Sequence, residues 1–101
     1  MAARISDLNV ANKTWAEQAE DFIAYYEHCV ETSGTGWLLG LFMARQWRRL
    51  IDEPQRNIEE AKLMVQALDA ERPNQGTGWC DMYWRARKWL EGVEMSQATK
   101  P

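Results

Sequence analysis

A stretch of this chain occurs twice, which limits the possible folds more than any other feature of the sequence. Gly34-Thr35-Gly36-Trp37 returns as Gly76-Thr77-Gly78-Trp79, an offset of 42. With that offset held, Ala44, Arg45 and Trp47 fall on Ala86, Arg87 and Trp89, and Glu17 and Ala19 on Glu59 and Ala61. Similar residues fill further positions: Phe22 with Met64, Ile23 with Val65, Tyr26 with Leu68, Ile51 with Val93. No gap is needed. Nine identities, where chance supplies about two, mark residues 16–52 and 58–94 as two copies of one unit.

Each unit reads as helix, short turn, helix. The first helix opens with a capping box at Thr14-x-x-Glu17, and Trp15, Ala19, Phe22, Tyr26 and Cys29 recur by fours and threes along one face. The third opens near Pro54, with Ile58, Ala61, Val65 and Leu68 on one side. The second helix runs from Thr35 or Gly36 to just before Pro54, the fourth from about Thr77 to Glu94. In both, the same positions face inward: Trp37/Trp79, Leu41/Tyr83, Ala44/Ala86 and Ile51/Val93, with Trp47/Trp89 at the flank. One hairpin cannot bury both of its stripes, so the two pack together. The expected fold is all-α, a four-helix bundle of two tandem, duplicated hairpins. Residues 1–101 form one domain, with a flexible arm at 1–13 and a polar, frayed tail at 95–101.

Composition narrows the function. A net charge of −3 provides no basic field to draw the protein to nucleic acid or an anionic membrane. The longest apolar run, Trp37 to Ala44, is far short of a membrane span, and Met1 to Arg4 leads into polar residues rather than a secretory signal. Cys29 and Cys80 read as reduced thiols in a cytoplasmic protein. His28 and Cys29 are neighbours, about 100° apart on a helix, and no CxxC or HExxH spacing exists, so no metal or cofactor is expected. With one histidine in the chain, most acid–base and nucleophilic schemes lack a proton carrier, and the expectation is a protein that is not an enzyme.

The Gly-Thr-Gly string has two readings. Glycine supplies positive φ at a helix end and threonine can cap the next helix. The string also resembles the hairpin of the helix-hairpin-helix DNA-binding family, in which Gly-hydrophobic-Gly is followed four residues on by a small residue. Gly34, Gly36 and Gly40 fit that spacing, but Met82 replaces the small residue in the second copy, and Thr35 and Thr77 replace the hydrophobic one. The resemblance implies sequence-independent phosphate contact through Gly34, Thr35, Gly36, Gly76, Thr77 and Gly78. This is the alternative to protein binding.

The two copies differ on their outward faces. The second helix carries Leu39, Met43 and Leu50 where the fourth has Asp81, Arg85 and Gly92, while Phe42 and Trp84 occupy equivalent positions off the core stripe. Apolar residues nearly all round a helix imply burial on a second side. The expected cover is partly the arm, through Ile5, Leu8 and Val10, and partly another protein. Leu39, Phe42, Met43, Leu50 and Trp84, flanked by Arg45, Trp47 and Arg49, are the expected interface. The expected function is protein binding by a small adaptor or inhibitor, a homodimer. In its size, tryptophan content and acidity the chain is similar to small regulators of bacteriophages and mobile elements, such as inhibitors of host nucleases or CRISPR complexes.

Overall fold

The computed structural model describes residues 13–54 and 57–98. They form four α-helices: α1 (Trp15–Ser33), α2 (Leu38–Asp52), α3 (Ile58–Glu71) and α4 (Thr77–Ala98), with 3-10 turns at Thr35–Trp37 and Arg72–Asn74. There is no strand among the described residues, and the fold is the expected all-α bundle. Apart from Lys13, the N-terminal arm lies outside the described residues, and so does its expected cover of α2.

The start of α1 is the capping box read from the sequence. Glu17 N–H donates to Thr14 Oγ1 at 3.1 Å, and Thr14 N–H donates to Glu17 Oε1 at 2.8 Å. The helix ends at Gly34, whose φ of +95° is open to glycine and strained for other residues. Gly34 N–H closes the last turn on the Val30 carbonyl at 3.0 Å. The second copy stops differently. Gly76 has no positive φ, and α3 is ended by the Arg72–Asn74 turn, where Pro73 has no N–H to continue the helix. The threonine cap expected in the first copy is not formed, since the N-cap of the first 3-10 turn is Gly34 itself.

Two boundaries differ from the expected ones. α3 starts at Ile58 rather than Pro54, because Asn57 bridges the link: its carbonyl accepts from Ala61 N–H at 2.9 Å, and its Nδ2 donates to the Glu53 carbonyl at 3.0 Å. α4 continues through Ala98, so residues 95–98 of the expected frayed tail are helical; no glycine or proline stands between Glu94 and Ala98 to stop it.

Burial repeats with the 42-residue offset. Ala19 and Ala61, Phe22 and Met64, Tyr26 and Leu68, Leu41 and Tyr83, Ala44 and Ala86, and Trp47 and Trp89 are all buried. Within the first hairpin, Trp47 meets Trp15 at 6.5 Å and Phe22 at 6.3 Å between ring centroids. α4 is fastened to α3 by the buried Trp79 indole, which donates to the Leu68 carbonyl at 2.8 Å. It is fastened to the start of α1 by Arg85, which donates to the side-chain oxygen of buried Gln18 at 3.3 Å and lies 5.5 Å from the Phe22 ring.

One exchange between the repeats is steric. A Cβ on Gly40 would lie 2.3 Å from the Tyr26 ring, so α1 and α2 approach this closely only because residue 40 has no side chain. At the equivalent positions the second repeat has Leu68 and Met82, both buried: a smaller side chain on one helix and a larger one on the other. Trp37 also departs from the expected arrangement. It was expected inside with Trp79, but it sits 6.3 Å from the Tyr26 ring and is 37% exposed, against 2% for Trp79.

Candidate functional site

The expected interface divides into residues that the fold buries and residues that it leaves outside. Met43, Trp47 and Leu50 are core, Trp47 and Leu50 with no exposed surface at all. The reason is that α2 packs against α1, α3 and α4. Positions 43, 47 and 50 form a second inward stripe beside 41 and 44, and the apolar excess of α2 over α4, Leu39 apart, is consumed within the chain. The Trp47 indole nitrogen has no hydrogen-bond partner among the described residues, in keeping with a residue placed for its bulk. Leu39, Phe42, Arg45, Arg49 and Trp84 do face outward, with Phe42 at 62% and Trp84 at 51% exposure.

Around Phe42 lies a shallow cleft of about 330 Å³ lined by Phe42, Arg45, Gln46, Arg49 and Glu60. Gln46 Nε2 donates to Glu60 Oε2 at 3.1 Å, and the Arg49 guanidinium pairs with the same carboxylate. These two donors hold the Glu60 carboxyl below the usual carboxylate range. Arg45, also in the wall, pairs with α1 instead, its Nη2 3.1 Å from Glu27 Oε2. Leu38, Leu39 and Leu63 are also well exposed. Because Glu60 joins Gln46 and Arg49, the antiparallel register puts Leu63, one turn further on, level with residues 42–46.

Around Trp84 lies a second cleft of about 340 Å³, lined by Trp84, Arg87, Lys88 and Glu91. Arg87 donates to Glu91 at 3.2 Å and to the Tyr83 hydroxyl at 3.2 Å, with its guanidinium 5.2 Å from the Trp84 ring centre. Arg72 lies 5.6 Å from the same ring, so the indole carries two cations against it. Subtracting 42 from these four α4 positions gives Phe42, Arg45, Gln46 and Arg49, the α2 lining of the first cleft. Both clefts place an exposed aromatic one turn before an arginine, and each has one arginine tied to a carboxylate in its own wall.

Gln46, Glu60, Leu63, Arg72, Arg87, Lys88 and Glu91 were not among the residues expected at the interface. Leu63 was within reach of the comparison applied to the second and fourth helices, since its equivalent on the first helix is Asp21. The roles of Glu60 and Arg72 come from other helices, and helical periodicity carries no sign of them.

The glycine strings have packing and turn roles. Gly34 holds the positive φ, and a Cβ on Gly78 would come within 3.2 Å of the Tyr25 ring. Gly36 and Gly76 face open space, while Thr35 and Thr77 begin the 3-10 turn and α4 respectively. Cys29 and Cys80 are free and half-buried, and His28 is exposed. Among the described residues, no three His, Cys, Asp or Glu side chains converge to hold an ion, and no helix is long and apolar enough to cross a membrane.

No family model, curated protein or solved structure matches the chain.

Proposed function

We propose that this chain is a non-enzymatic protein-binding module, an adaptor or inhibitor, that engages its partner through the outer faces of α2 and α4. One observation carries the reading. Phe42 and Trp84, at equivalent positions in the two repeats, are both more than half exposed, although the core has absorbed Met43 and Leu50 beside Phe42. Aromatic and arginine side chains are the types that most often anchor interfaces, and here they occur together at both sites. The corrected contact set is Leu39, Phe42, Arg45 and Arg49 on α2, with Trp84 on α4. A second copy of the chain is one possible partner, and light scattering reports it directly.

The test compares wild-type protein with Phe42→Arg as immobilised bait in cytosol from the native host. Phe42 lies outside the core, so circular dichroism of the variant should match wild type, while a charge on the α2 half of the patch reduces the amount of partner captured. A partner held equally by both baits overturns the proposal. A bound species that is nucleic acid, released steeply as salt rises, favours phosphate contact at the glycine turns instead.

A further inference from the structure

We infer that each repeat carries its own site for the same ligand chemistry, so that the chain binds two acidic peptide segments, each anchored by an apolar side chain. The inference deepens the protein-binding proposal and rests on it.

Three observations lead to it. First, the α2 wall of one cleft and the α4 wall of the other stand at positions 42 residues apart and the clefts are of nearly equal size, about 330 and 340 Å³; the outward aromatic and the arginine after it repeat, while Lys88 and Glu91 replace Gln46 and Arg49, and Glu60 enters the first cleft from α3. Second, their charge runs against that of the molecule. The whole chain has a net charge of −3, yet each cleft wall holds two cations and one carboxylate. Third, each cleft has a cation that its own carboxylate does not hold. In the first cleft this is Arg45, whose partner Glu27 belongs to α1, in a pair at least half exposed on both sides. In the second it is Lys88, which has no ion pair among the described residues. An exposed pair such as Arg45–Glu27 contributes little, so an incoming carboxylate can replace Glu27 at small cost.

The chemistry of the ligand follows. An apolar side chain covers the Phe42 or Trp84 ring. A carboxylate within one turn of it meets the guanidinium of Arg45, or the ammonium of Lys88 in the second repeat. A neutral amide offers the same shape and loses the charge-assisted hydrogen bond. A continuous phosphate backbone is the poorer match, because each cleft offers a single cation that its own carboxylate does not hold, enough for one carboxylate beside an apolar anchor.

The probe is a short capped peptide, Glu-Glu-Leu-Glu-Glu, titrated into the full-length protein labelled with 15N, beside the same peptide with every Glu replaced by Gln. The acidic peptide should shift amide resonances in two groups, residues 42–49 and 84–91, with saturation at two peptides per chain. The glutamine peptide should bind about tenfold more weakly or worse. Phe42→Ala should abolish the first group of shifts and leave the second, and Trp84→Ala the converse. Shifts confined to one cleft overturn the paired-site inference. Equal binding of the glutamine peptide overturns the acidic class while leaving protein binding intact. Absence of shifts with either peptide overturns the inference, and the Phe42→Arg bait then decides separately whether the binding face itself survives.

Discussion

Gly40 and Tyr26 share one space, and the second repeat divides the equivalent space differently between Leu68 and Met82. Gly40→Ala forces a methyl into the Tyr26 ring and should cost about 1–3 kcal/mol, the usual range for overpacking a close-packed core. In a domain of this size that lowers the melting temperature by several degrees. Putting Leu at 26 and Met at 40 together copies the second repeat's solution, so the double variant should be more stable than the sum of its single changes; strict additivity in denaturant titrations would contradict the steric account. Tyr26 also makes stability depend on pH. Burial raises its hydroxyl pKa to about 12, above the ordinary value of 10. The neutral phenol is the form that the core favours. Its contribution is therefore fully present below pH 10 and is lost as pH rises from 10 towards 12. Over that window wild type should lose more stability than Tyr26→Phe, as measured by chemical denaturation at each pH.

The helices were legible because each has its own periodicity and, for α1, its own cap. Thr14 and Glu17 formed the box that their spacing announced, and Thr14→Ala should cost about 1 kcal/mol of stability. What periodicity cannot say is which neighbour takes up an apolar residue. Leu39, Met43 and Leu50 read alike as one surplus on the second helix. Once α2 is seated among three other helices, Met43 and Leu50 become core and Leu39 alone remains outside. Thermal melts should separate them sharply. Leu50→Ala should cost about 2–5 kcal/mol, as a cavity in a closed core does, while Leu39→Ala, at 44% exposure, should change stability by about 0.5 kcal/mol or less. The start of α3 was misread for a related reason: Pro54 is a sound helix opener by itself, but the side chain of Asn57 turns the link so that the helix begins at Ile58.

At the scale of the whole molecule, the 42-residue offset orders both what is buried and what is left outside. The paired alanines of the core were visible in the sequence, as were the paired aromatics Phe42 and Trp84; of the paired tryptophans only Trp79 lies inside as expected, since Trp37 is exposed and Trp47 and Trp89, expected at the flank, are core. The clefts beside them were not, because their walls depend on Glu60 arriving from α3 and on which rotamers Arg45 and Arg87 adopt. The central claim is that these two outward aromatics are spare to the fold and used for a partner. Site-specific photocrosslinking tests it most directly. Benzoylphenylalanine is placed at position 42, at position 84, and at exposed Ala24 on α1 as a control, and each protein is irradiated in lysate of the source cells. The account predicts an adduct with the same partner protein from positions 42 and 84, and none from position 24. Adducts from position 24 alone, or none from 42 and 84 while the protein remains folded, would contradict it.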